Sequence, residues 1–134
     1  MVTREDVESY LLRAGLDHEE ISEGMWLVKA GASDAGVVIH LSPPLLVFRM
    51  KVMDQPSEES RCAGLFRRLL QLNATDLVHA AYGLEEGDVI LTESLETENL
   101  DFNEFQATID SFQMALASHL EALSEYRDCA PAQA

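Results

Sequence analysis

Apolar side chains at Val7, Tyr10, Leu11 and Ala14 are spaced three, one and three apart, which puts all four on one face of a helix. Thr3 suits its N-cap, Glu5 and Asp6 sit where the helix dipole favours acid, and Gly15 suits its end. An acidic connector is expected from Leu16 to Gly24. Strand formers then run from Met25 to Ala30, and a turn over 31–36 leads to a second strand at Val37–Leu41. Ser42-Pro43-Pro44 stops that strand, because proline cannot donate to a ladder. Leu45 to Met53 alternates. Its even positions, Leu46, Phe48, Met50 and Val52, predict a core face, while the odd ones mix Leu45, Val47 and Met53 with Arg49 and Lys51.

Asp54-Gln55-Pro56-Ser57 breaks the strand, with Ser57 or Ser60 as the cap of a second helix. Cys62, Leu65, Phe66, Leu69, Leu70 and Leu72 give that helix a broad apolar stripe beside Arg67 and Arg68. Two further strands are expected at Leu77–Tyr82 and Asp88–Glu93, joined by a hairpin loop over Gly83–Gly87. Asp101 and Glu104 have capping-box spacing, and Phe102, Phe105, Ile109, Phe112, Leu116, Leu120 and Leu123 continue a long helix to about Tyr126. The order is helix, three strands, helix, two strands, helix. It predicts an α+β sandwich, α-β-β-β-α-β-β-α, with an antiparallel sheet packed against helices.

With 134 residues the chain has the size of one domain, expected over 1–128, with a flexible tail at 129–134. Its net charge of −15 opposes phosphate, which argues against nucleic acid and against anionic membrane surfaces. Such a surface suits solubility or a basic protein partner. No apolar run is long enough to span a bilayer. The start, Met1-Val2-Thr3-Arg4-Glu5-Asp6, lacks the apolar core of a secretion signal, and Cys62 and Cys129 match no metal spacing. The cytoplasm is the expected location.

Candidate chemistry is sparse. His18, His40, His79 and His119 lie far apart in sequence, and His40 and His79 read as half-buried strand residues. Ser42 and Cys62 lack a nucleophile-elbow context or a neighbouring base, and Cys62 falls on the apolar stripe. The acidic run Asp17, Glu19, Glu20 and Glu23 lacks the spacing of a cation loop, and no glycine-rich phosphate motif is present. No catalytic, metal or cofactor residue is assigned. What remains is apolar surface in excess of what one small sheet hides, the usual mark of a dimer interface or a peptide groove. Leu45, Val47 and Met53 on the third strand, and Leu65, Leu69 and Leu72 on the second helix, carry that surplus.

Leu69-Leu70-Gln71-Leu72-Asn73, Ala81-Tyr82-Gly83-Leu84, Asp88-Val89-Ile90-Leu91 and Asn99-Leu100-Asp101-Phe102-Asn103-Glu104-Phe105, taken with the element order, resemble the type III secretion chaperone-like superfamily. Within it the chain looks most like the YbjN and Tir-chaperone (CesT-like) branches. The resemblance implies a homodimeric, non-enzymatic domain of the expected order. It would hold an extended client segment on apolar patches, without a cofactor, with Leu45, Val47, Arg49 and Met53, joined by Trp26 or Leu27, as the expected client-binding residues and Leu65, Leu69 and Leu72 as the expected dimer contacts. The alternative is a YbjN-like regulatory or sensory domain acting through a partner protein or small ligand. That reading expects a closed pocket lined by Phe105, Ile109 and Phe112.

Overall fold

The computed structural model describes residues 1–29, 36–54 and 62–126. Helix α1 (Arg4–Arg13) is followed by strands β1 (His18–Ser22), β2 (Met25–Lys29), β3 (Gly36–Ser42) and β4 (Leu45–Asp54). Helix α2 (Ala63–Thr75), strands β5 (Ala81–Glu85) and β6 (Asp88–Glu96), and helix α3 (Phe102–Ser124) complete the chain. All strand pairs are antiparallel, in the order β1-β2-β3-β4-β6-β5. The α+β class and the helix-over-sheet architecture are those the sequence predicts.

The sheet has one strand more than expected. Residues 18–22 pair with β2 as an edge strand, although His18-Glu19-Glu20-Ile21-Ser22 carries little strand propensity. Pairing supplies what composition does not. Arg4 Nε donates to Glu20 Oε2 at 2.8 Å, a second Arg4 nitrogen donates to the other oxygen, and the Gly24 N–H donates to Glu20 at 3.1 Å. One carboxylate thus joins the start of α1 to the β1–β2 turn.

The helix ends obey their local signals. Thr3 and Asp6 form a reciprocal capping box on α1, and Gly15 follows the helix with φ of 70°. Asp101 accepts from the Glu104 N–H at 2.9 Å at the head of α3. Cys62 occupies the N-cap position of α2; Ser57 and Ser60 lie outside the described residues, as do most of the 31–36 turn and the 129–134 tail. Between β5 and β6 the connection is a two-residue turn, Glu86-Gly87, with φ of 46° and 88°. Positive φ at both positions is the geometry that matches strand twist in tight hairpins. It displaces β5 four residues beyond its expected start, so His79 lies exposed in the connector and not mid-strand.

The core lies between one sheet face and the helices. Phe48 on β4 meets Phe105 and Phe112 of α3 with ring centroids 5.7 and 6.2 Å apart. Tyr10 of α1 packs on Phe105 at 5.4 Å, which sets α1 beside α3. Trp26, Ile39, Leu46, Met50 and Leu91 complete the inner face, all fully or almost fully buried.

Glu20 is held below the usual carboxylate range, first by its hydrogen bond from Arg4 and then by the Gly24 N–H. Its contribution to stability is therefore present above the unfolded carboxylate pKa, about 4.3, and is lost as pH falls through the lower folded value. Thermal melts of Glu20→Gln should lie below wild type at neutral pH, with the gap closing toward about pH 3; a gap independent of pH would refute this role.

Candidate protein-binding surfaces

Alternation along the strands leaves the second sheet face outside the helical layer. Register makes Leu27 and Val38 neighbours, then Val38 and Arg49, then Arg49 and Thr92. The next row is Met25, His40, Val47 and Ser94. Leu27 and Leu45 keep 38% and 37% of their surface, and Val38, His40 and Val47 are half-buried. An apolar strip therefore crosses β2, β3 and β4. It is bordered by ion pairs, Arg49 with Glu85 at 3.1 Å and Lys51 with Asp54 and Asp88 at 2.7 and 3.3 Å.

Of the six expected client-binding residues, Leu27, Leu45, Val47 and Arg49 lie together on this face. Trp26 and Met53 do not. Trp26 pairs with Ile39 on the core face and is fully buried. Met53 has the parity of Val47, but a β-bulge between Lys51 and Met53 inverts the phase, so Met53 turns inward and pairs with Val89. The same bulge leaves Val52, expected in the core, only half-buried. Val38 belongs to the strip and was not among the expected residues; its alternation with buried Val37 and Ile39 is the signal that reveals it.

The helix α2 stripe divides into two parts. Leu65, Leu69 and Leu72, the expected dimer contacts, are at most 5% exposed and belong to the core cluster, so α2 presents other residues outward. Leu70 is 69% exposed and Leu84 on β5 is 47% exposed. Between them lies an open apolar groove of about 250 Å³, lined by Phe66, Leu69, Leu70, Asn73, Tyr82, Gly83 and Leu84. Phe105, Ile109 and Phe112, expected to line a closed pocket between sheet and α3, are at most 2% exposed and pack into the core cluster.

Asn73 builds one wall of the groove. Its Oδ1 accepts from the Tyr82 N–H at 2.7 Å and its Nδ2 donates to the Tyr82 carbonyl at 3.1 Å. The amide thus occupies the free edge of β5 as a short strand would, and covers an edge that otherwise invites pairing. Tyr82 is also held at its other end, where its hydroxyl lies 2.8 Å from His119 Nδ1. His119 Nε2 lies 3.2 Å from Asp76 Oδ2. Neither Asn73 nor this polar chain figures among the residues expected from sequence, because the partners lie 9 to 43 positions apart.

A family model described as CesT_Tir_1 matches residues 2–128. The chain belongs to that secretion-chaperone family. Among solved structures, a chain of the heterodimeric ExoU–SpcU complex from the type III secretion system of Pseudomonas aeruginosa is 16% identical. The match covers 93% of this chain and 98% of that one with a TM-score of 0.64. YbjN of E. coli, described as a candidate transcription regulator, is 15% identical with coverage of 92% and 93% and a TM-score of 0.67. The Yersinia pestis chaperone SycH, solved with a fragment of YscM2, is 14% identical with coverage of 90% and 99% and a TM-score of 0.60. At such identities these likenesses establish the fold. No curated protein matches the chain significantly. Among the described residues no helix is long and apolar enough to cross a membrane.

Replacing Asn73 with Ala removes both edge bonds and leaves the Tyr82 N–H without its acceptor. Urea denaturation should show a loss of about 1–3 kcal/mol, the cost of an unmet backbone donor; an unchanged midpoint would show that solvent replaces the clamp without penalty.

Proposed function

We propose that the chain is a cytoplasmic, non-enzymatic, homodimeric holder of an extended client segment. The observation that carries this reading is the apolar strip Leu27, Val38, Val47 and Leu45 on the sheet face opposite the helices. A flat, twisted surface with half-exposed aliphatic groups suits an unfolded segment better than a compact ligand. The segment can lay alternate side chains on the strip and keep its backbone outside. Each large apolar side chain covered contributes roughly 1.5–3 kcal/mol, and several together offset the ordering of a disordered chain. The family supports this reading, as do solved relatives captured as chaperone–effector complexes, including HopA1–SchA.

The second copy fits the α2–β5 groove. Exposed Leu70 and Leu84 with half-buried Phe66 form its apolar centre; Arg67 and Arg68 also stand on α2, and Glu86 in the β5–β6 turn. Helix α2 carries no acidic residue at all, in a chain of net charge −15. A two-fold axis through the groove would bring the cationic α2 of each copy toward the acidic exterior of the other, the self-complementarity a closed dimer requires. A regulatory domain acting through a partner protein is the second reading, supported by the fold shared with YbjN. The same two surfaces would serve it, with any small ligand entering at the groove.

Val47→Asp places a charge in the middle of the strip. Binding of a permanently unfolded probe, a reduced and alkylated protein, should weaken by about tenfold or more in a fluorescence titration, with the far-UV circular dichroism unchanged. Equal binding by both forms would remove the sheet face as the client surface. Leu70→Asp should convert the dimer to a monomer in multi-angle light scattering. A monomeric wild type, or a dimeric variant, would remove the groove as the subunit interface.

A further inference from the structure

We propose that two copies of this chain join by a reciprocal backbone pair, Leu84 to Leu84, at the free edge of β5, so that their two sheets become one. The pairing rests on the subunit contact proposed above at the α2–β5 groove, and supplies the directional bonds which that apolar contact lacks.

Alternation decides which backbone groups of β5 face outward. Tyr82 sends its N–H and its C=O to the Asn73 amide, at 2.7 and 3.1 Å, so neither is spent on β6. Tyr82 and Leu91 are thus a pair without mutual bonds, and the next such pair along an antiparallel ladder is Leu84 with Val89. The N–H and C=O of Leu84 therefore also point away from β6. Among the described residues no side chain caps them as Asn73 caps Tyr82, and Leu84 is 47% exposed along the groove.

This open stretch of edge is one residue long. Asn73 closes it on one side and the Glu86-Gly87 turn on the other. A foreign strand adds to an edge through a run of main-chain bonds, which a single residue does not offer. A second copy needs no more. Opposed residues in an antiparallel ladder exchange both bonds, and when the two are the same residue the exchange is its own two-fold operation. The side chains beside it agree, since Leu84, Leu70 and Phe66 of each copy then meet their equivalents across the axis. The other sheet edge, β1, is blunted by a bulge between Glu20 and Ser22 and by exposed Glu19. Repulsion between two chains of charge −15 is also weakest beside α2, which carries Arg67 and Arg68 and no acidic residue.

Amide hydrogen exchange of the whole chain, with light scattering at the same concentrations, tests the pairing. In dimeric wild type the Leu84 amide should exchange about tenfold or more slowly than in Leu70→Asp, while the Gly83 amide, directed at β6, exchanges alike in both. Leu84→Pro deletes the outward N–H and spares the β6 ladder, as proline does at such edge positions. Its dimer should dissociate about tenfold or more readily, whereas Leu84→Val, which keeps the N–H, should stay within about threefold of wild type. Should Leu84→Pro fail to fold by circular dichroism, the wild-type exchange decides alone. A Leu84 amide that exchanges freely in a wild-type dimer broken by Leu70→Asp overturns the pairing and leaves the groove contact standing, and so does a folded Leu84→Pro that dimerises as wild type does. A monomeric wild type overturns both. Assemblies larger than a dimer would mean β5 meeting β1, and protection seen only after adding a reduced and alkylated protein would give the edge to a client; either result overturns the Leu84 pair.

Discussion

The contact of Phe48 with Phe105 and Phe112 decides what kind of surface this chain presents. It lays a 23-residue helix across the middle strand of a six-stranded sheet and commits that face to the interior. A sheet so closed has a second face that no described helix covers, and strand alternation must fill it with something. Here the filling is aliphatic on β2, β3 and β4 and ionic on the flanks. The apolar strip is thus a by-product of where the core was placed, and a substitution that shifts α3 would alter it without touching it.

Local geometry then decides which side chains reach that face. Leu45 and Val47 arrive there by simple alternation, and Met53 does not, because one bulge between Lys51 and Met53 reverses the parity of the strand. Sequence periodicity counts residues and cannot see an inserted one. The bulge also lets Met53 fill the core opposite Val89, near the end of β4 where the chain leaves for α2. Trp26 fails for a different reason. Its neighbours Met25 and Leu27 are apolar too, so the sequence of β2 gives no parity, and only the pairing of Trp26 with Ile39 reveals that it faces inward.

The helices were the most legible part of the fold, because Thr3 with Asp6 and Asp101 with Glu104 act over three residues and need no partner elsewhere. Strand β1 was unreadable: a run with Glu19, Glu20 and Glu23 looks like a solvated connector until Arg4 and β2 neutralise and pair it. Strand β5 was misplaced because Leu77-Val78-His79-Ala80 has strand composition, whereas the clamp from Asn73 and the two-residue turn at Glu86-Gly87 fix the pairing further on. The stripe on α2 shows the deepest limit. Leu65, Leu69, Leu70 and Leu72 are chemically alike, and burial against the core or exposure at a groove is a property of the helix rotation, which tertiary packing sets.

Charge placement separates these two surfaces from the remainder of the exterior. Of the nine lysines and arginines, Lys29, Arg49 and Lys51 stand on the open sheet face and Arg67 and Arg68 on α2, while Arg4 and Arg13 belong to α1 and Arg61 and Arg127 lie outside the described residues. In a chain of net charge −15, apolar area bordered only by carboxylates would repel another copy and any acidic segment before contact. Three of the cations stand beside the strip on the open sheet face, and this would lower that barrier for the segment proposed to dock there. The long-range repulsion that keeps the chain from associating elsewhere is left in place. Because Arg49 and Lys51 are already paired with Glu85, Asp54 and Asp88, their effect on an approaching segment is to cancel local charge rather than to select an opposite one. A segment held on the sheet face as proposed would therefore be selected by apolar fit.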